Sequence, residues 1–213
     1  MGRIPQIAGR VQGSLKKRGF KMIYTSYFPN IKKLPDNIVP ISISRKAPTG
    51  YSGLEFKKLA PSYELLSHWK EHHDEEYYTK TFTQEVLKKI SPIGLLSELS
   101  TLADGKDICL ICYEKPESFC HRHLIAKWLR DCGFDCIEWQ EFPELQIGDF
   151  ITICNNTEMR YFLTDEFEQF DGIVHPDEDY EFKERYITEV WRQQNDTTFT
   201  RIFKRYDINP TGK

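Results

Sequence analysis

No apolar run in the 213-residue sequence approaches the roughly 18 to 20 residues needed to cross a bilayer, which excludes a membrane-spanning helix. The opening stretch, MGRIPQIAGRVQGSLKKRGF, lacks the continuous apolar core of a secretory signal, so export is not expected and a cytoplasmic location is. A disulfide framework is also missing. The six cysteines, Cys109, Cys112, Cys120, Cys132, Cys136 and Cys154, fall mostly inside apolar strand and helix patterns and read as reduced thiols. There is no internal repeat and no low-complexity segment. Acidic residues are scarce at one end and basic residues at the other. Residues 1 to 60 hold twelve Lys/Arg against two Asp/Glu, and residues 141 to 190 hold three against fourteen. This asymmetry suits an anionic partner for the first part, although the two regions could equally pair with each other or be plain solvated surface.

What is present describes an ordered globular chain, with 39% hydrophobic, 14% aromatic and 29% charged residues. The length admits one large domain, or one domain with a smaller appendage. Residues 1–19 carry four glycines and five basic residues without periodicity and read as an irregular basic arm. Strands are expected over FKMIYTSYF at 20–28 and IVPISIS at 38–44, the second followed by Arg45, Lys46 and a Pro/Gly-rich loop. Three helices should follow. The first begins at Ser62 with Leu65, Leu66 and Trp69 on one face, the second near Asp74 with acids in its first turn, and the third at Ser91-Pro92, running to Gly105.

The clearest unit comes next. DICLICY at 107–113 is a nearly continuous apolar strand of the kind found at the buried centre of a parallel sheet. A loop, EKPESF, leads to a helix from Cys120 to Gly133 with Leu124, Ile125, Trp128 and Leu129 on one face, and DCIEW forms a further strand. Such a β-α-β unit predicts an α/β fold, a parallel-type sheet flanked by helices in three layers, over residues 20–144. After Pro143 acidic and aromatic residues dominate and alternation replaces helical spacing. GDFITICN, EMRYFLT, YITEVWR and TFTRIFKRY read as strands of a small acidic β-rich module over 145–213, with QQND turning the last two into a hairpin.

Ligands of open α/β sheets bind beyond the carboxyl ends of the strands, which points to the loop after strand 107–113. That loop presents Cys112, Glu114, Lys115, Glu117, Ser118, Cys120, His121, Arg122 and His123. Unpaired N–H groups at a helix start favour an anion, a guanidinium there can make two parallel bonds to a phosphate, and the same field lowers a thiol's pKa. Cys120 is therefore a candidate nucleophile, with Glu114 and His121 as acid or base and Arg122 as anion clamp. Buried packing is the bland alternative for Cys120 and a solvated surface for Arg122. A metal site from Cys112, Cys120, His121 and His123 matches known zinc spacings poorly, and Cys109 and Cys112 should point to opposite faces of a strand, so no metal is assigned. His72 and His73 beside Asp74 and Glu75 read as solvated surface. The residues name no cofactor.

Three blocks resemble the family catalogued as domain of unknown function 488: MIYTSYF at 22–28, VPISISRKAP at 39–48, and ICLICYEKPESFCHRHLIAKWL at 108–129, whose Cys-His-Arg turn is the most specific part. LAPSYELLSHWKEH at 59–72 is similar to one branch of that family. The likeness covers roughly residues 20 to 140. Thr25-Ser26-Tyr27 departs from it, standing where members commonly show Thr-Ile-Gly-Tyr. The resemblance implies a compact α/β domain with a pocket formed by Arg45, Cys112, Glu114, Cys120, His121 and Arg122, and it implies no particular reaction.

Three functional expectations follow. The first is an enzyme acting on a phosphorylated or nucleotide-like small molecule, or on nucleic acid, in which Arg122 and Arg45 hold the anion, Cys112 and Tyr24 complete the binding surface, and Cys120, Glu114 and His121 react. The second is a binding module without turnover, contacting nucleic acid through Lys16, Lys17, Arg18, Lys21, Lys32 and Lys33 with Tyr24, Tyr27 and Phe28 for stacking. The third is an assembly component that recruits a protein partner through residues 145–213.

Overall fold

The computed structural model describes residues 22–154, 156–164, 167–170, 172–177, 180–195 and 197–205. The expected basic arm at 1–19, with Lys16, Lys17, Arg18 and Lys21, lies outside the described residues. The chain forms two compact units, the first ending at Trp139 and the second beginning at Gln140.

The first unit is built on five parallel strands: β1 (Ile23–Tyr27), β2 (Ile38–Ser42), β3 (Leu54–Glu55), β4 (Asp107–Cys112) and β5 (Cys136–Glu138). Their order in the sheet is β3-β2-β4-β1-β5, which puts β4 at the centre, paired with β1 from Ile23↔Ile108 to Tyr27↔Cys112 and with β2 on its other side. A strand covered on both faces needs apolar side chains in both directions, which explains its unbroken DICLIC sequence. Ile108, Leu110 and Cys112 point into one cluster, and Cys109 and Ile111 into another.

Four helices supply the first cluster: α1 (Tyr63–His72), α2 (Glu75–Glu85), α3 (Pro92–Leu102) and α4 (His121–Asp131). Their starts follow local chemistry. The side chain of Ser62 accepts from the Leu65 N–H at 3.1 Å, Asp74 from Tyr77 at 2.9 Å and Ser91 from Gly94 at 3.4 Å, so each cap satisfies one donor that the helix leaves open. Leu65, Tyr78, Phe82, Leu96, Leu99, Leu124, Ile125 and Leu129 from these helices meet Ile23, Ile41 and Leu110 of the sheet. On the opposite face Ile38, Cys109, Ile111 and Trp139 are covered by Phe28, Ile31 and Leu34, in and beside the 3-10 turn Phe28–Lys33. The fold is the expected α/β arrangement, with its third layer reduced to that thin cover.

The second unit is antiparallel β. A four-stranded sheet has the order β12-β11-β6-β7, from β6 (Phe150–Ile153), β7 (Asn156–Phe162), β11 (Ile187–Asn195) and β12 (Thr198–Lys204), which are the four expected strands. The Asn195 side chain accepts from the Thr197 and Thr198 N–H groups at 3.1 and 3.0 Å and closes the β11–β12 turn. Three short strands escaped the sequence reading: β8 (Glu168–Phe170), β9 (Ile173–Asp177) and β10 (Tyr180–Lys183), in the order β10-β9-β8. Each is too short and too acidic to show clear alternation. Val174 of β9 joins Ile151, Ile153, Ile187 and Val190 in one core. Among the described residues no helix is long and apolar enough to cross a membrane.

Candidate functional site

A cavity of about 580 Å³ opens beyond the carboxyl ends of β2 and β4. β2 leads into Ser44, Arg45 and Lys46, β4 delivers Cys112 and then Glu114, and the start of α4 adds Cys120 and His121. Trp69, Tyr78 and Phe119 line one wall, with ring centroids 4.6 Å apart for Trp69–Phe119 and 5.3 Å for Tyr78–Phe119. Lys46 and Lys70 are exposed cations in the same lining.

The floor is a buried polar cluster. His121 Nε2 lies 3.1 Å from the Ile43 carbonyl. A carbonyl only accepts, so Nε2 carries the proton and Nδ1 presents a lone pair. Nδ1 stands 3.7 Å from Cys112 Sγ, and the same sulfur lies 3.6 Å from Glu114 Oε2. Cys120 occupies the cap position of α4 with extended backbone, φ −156° and ψ 141°. Burial pushes the Cys120 thiol up, but the hydrogen bond from Cys112, the adjacent His121 ring and the nearby Arg122 charge outweigh it and hold the thiol well below its ordinary value. Its hydrogen-bonded partner Cys112 moves the other way, raised by that bond and by burial. Burial, with the Cys120 charge beside it, also raises the Glu114 carboxyl.

Of the expected site residues, Arg45, Cys112, Glu114, Cys120 and His121 meet in this cavity. Arg122 and Tyr24 do not line it. Arg122 is fully buried, and its guanidinium donates from Nε and Nη2 to the two Glu138 oxygens at 3.2 and 3.1 Å and from Nη1 to the Glu114 carbonyl at 2.6 Å. Its fork is taken up inside the protein, so the expected anion clamp is instead a brace under the Glu114 loop. Tyr24 projects to the opposite face of the sheet, against Ile38, Cys109, Ile111 and Trp139, because β1 alternates its side chains. Arg45 keeps its place in the cavity, although its Nε and Nη2 donate to the Pro61 and Ala60 carbonyls at 2.6 and 3.1 Å and its guanidinium lies over the Tyr63 ring.

A family model described as the active DUF488-N3 subclade, DUF488-N3a, matches residues 25–133. The chain belongs to the DUF488 family. The DUF488 match runs from within β1 to just past the end of α4 and so contains every residue of the floor, while the second unit lies beyond it. Comparison with curated proteins found no match, and neither did comparison with solved structures.

Sequence reasoning missed Glu138, Trp69, Tyr78 and Phe119. Glu138 is a carboxylate at the carboxyl end of β5, where it is nearly inaccessible and accepts from Thr25 Oγ1 at 2.6 Å as well as from Arg122. A charge inside DCIEW was the available signal, because buried acids are almost always paired. The aromatic residues carried no signal of their own, since a ring at helical spacing reads as ordinary core.

Proposed function

We propose that the cavity binds a phosphorylated, nucleotide-like small molecule and that Cys120, Glu114 and His121 at its floor act on it. One observation carries this reading: a single cavity of about 580 Å³, within the usual range for small-molecule sites, joins an aromatic wall, cationic groups and a thiol–imidazole–carboxyl floor. Trp69 and Phe119 offer a surface on which a base can stack, and Lys46 and Lys70 offer charge for a phosphate. Cys120 is the reactive thiol of the set, placed at the helix start and facing the cavity. Glu114 is the proton carrier, and Cys112 and Arg45 complete the binding surface. The enclosed floor favours a small molecule over a nucleic-acid strand.

The reading is tested by thermal shift and calorimetry of the full chain against nucleotides, sugar phosphates, inorganic phosphate and short oligonucleotides. A small phosphorylated ligand at about 100 times its Kd should stabilise the chain by about 2.7 kcal/mol. Lys46→Ala/Lys70→Ala should weaken it at least about tenfold, with a smaller salt dependence. Identical curves for the native and doubly substituted chains across the panel would remove the proposal, and binding by oligonucleotides alone would replace it with a nucleic-acid-binding module.

A further inference from the structure

Cys112, Cys120 and His121 each offer one ligand atom at the cavity floor, and these atoms all lie within 4.8 Å of one another. Along the chain Cys112 and Cys120 are eight residues apart, a spacing that does not announce a metal site. The fold removes that objection, because the end of β4 and the start of α4 converge on one point. We propose that Cys112 Sγ, Cys120 Sγ and His121 Nδ1 bind a thiophilic divalent cation of the zinc class, with the fourth position open to the cavity on the Glu114 side. This rests on the reading of the cavity as the working site and amends it in one respect: with the ion bound, Cys120 and His121 serve as its ligands rather than as free reactive groups.

The distances fit. A tetrahedral zinc with bonds of about 2.0 to 2.3 Å holds its ligand atoms about 3.3 to 3.8 Å apart. Cys112 Sγ lies 3.7 Å from His121 Nδ1, so one edge of such a tetrahedron is already in place, and Glu114 Oε2, 3.6 Å from the same sulfur, flanks the cluster. The histidine also carries the outer partner that ligating imidazoles need. Its Nε2–H is held by the Ile43 carbonyl, which fixes the ring and leaves Nδ1 as the donor atom. Two sulfurs and an imidazole select zinc-like ions over magnesium or calcium, which take oxygen ligands. All three donors are buried, so water does not compete for their side of the ion. Glu114 lies in the cavity lining, which makes its position the one that a substrate atom or a water can enter. Three protein ligands with a replaceable fourth position is the arrangement of catalytic rather than structural zinc. Arg122 steadies this corner by holding the Glu114 carbonyl.

The test uses the full chain, stripped with a chelator and titrated with Zn²⁺ or Co²⁺. The expected result is one equivalent bound, with cobalt giving thiolate charge-transfer absorption in the near ultraviolet and tetrahedral bands in the visible. Cys112→Ser and Cys120→Ser should each lower affinity more than roughly 100-fold, since even the outer partners of ligands are worth ten- to a hundredfold. Cys132→Ser should change nothing. A second measurement needs no variant: zinc should shield Cys112 and Cys120 from alkylation and leave the exposed Cys132 and Cys154 reactive. No stoichiometric uptake, uptake without a thiolate signature, or unchanged labelling of Cys112 and Cys120 overturns the proposal. Phosphorylated-ligand binding that survives in the stripped protein while zinc is refused sinks the metal site alone. Zinc bound with no phosphorylated ligand accepted sinks the proposed substrate class alone.

Discussion

Replacing Arg122 by methionine should be among the most damaging single changes in the first unit. The side chain is wholly buried, and its three hydrogen bonds serve two acceptors, the Glu138 carboxylate at 3.2 and 3.1 Å and the Glu114 carbonyl at 2.6 Å. Burial raises the Glu138 carboxyl, and the bonds from Arg122 and Thr25 pull against that rise. Arg122→Met leaves a buried acid held by the Thr25 hydroxyl, with His123 Nε2 3.9 Å away, together with an unsatisfied carbonyl. Breaking one side of such a pair costs about 3 to 5 kcal/mol. Replacing both sides by apolar groups is often close to neutral, so Arg122→Met/Glu138→Leu should be milder than Arg122→Met alone, retaining mainly the orphaned Glu114 carbonyl at about 1 to 3 kcal/mol. A double-mutant cycle should therefore return a coupling of at least about 2 kcal/mol. Urea unfolding read by tryptophan fluorescence in a Trp191→Phe background reports the first unit alone, because Trp69, Trp128 and Trp139 all belong to it. A cost below about 1 kcal/mol for Arg122→Met, or strictly additive effects, would show that the pair does not brace the loop.

Two further outcomes are expected. Gly133 ends α4 at φ +86° with no atom within 4 Å of an added Cβ, so Gly133→Ala meets backbone strain without a clash and should cost about 1 kcal/mol in the same urea assay. In the second unit Asp149 is almost inaccessible and takes two bonds of 2.9 Å from Arg192 and one of 2.9 Å from the Gln146 N–H. Asp149→Ala should destabilise that unit by about 1.5 to 3 kcal/mol, seen as faster native-state hydrogen exchange in β6 and β11, and a change under about 0.5 kcal/mol would refute the assignment.

The sequence alone was enough for the elements whose signals are local. Ser62, Asp74 and Ser91 announce their helices because a cap is satisfied within three residues, and the unbroken DICLIC run announces a central strand because only a strand covered on both faces tolerates it. The convergence of Cys112, Glu114, Cys120 and His121 was legible too, since a β-strand, a short loop and a helix place them within one turn of chain. Matters that depend on distant partners were not legible. The partner of Arg122 is Glu138, sixteen residues on in β5, and only the β1–β5 pairing that brings Glu138 beside Thr25 decides that the guanidinium faces inward. Tyr24 was placed on the wrong side of the sheet because alternation states that neighbours oppose each other and not which face meets the helices. Trp69, Tyr78 and Phe119 become a cavity wall only when α1, α2 and the loop before α4 pack together. The sequence puts the three ligand residues at the floor in one strand–loop–helix segment, but only the fold brings their ligand atoms within reach of one ion, because it sets how the strand end and the helix start meet in space.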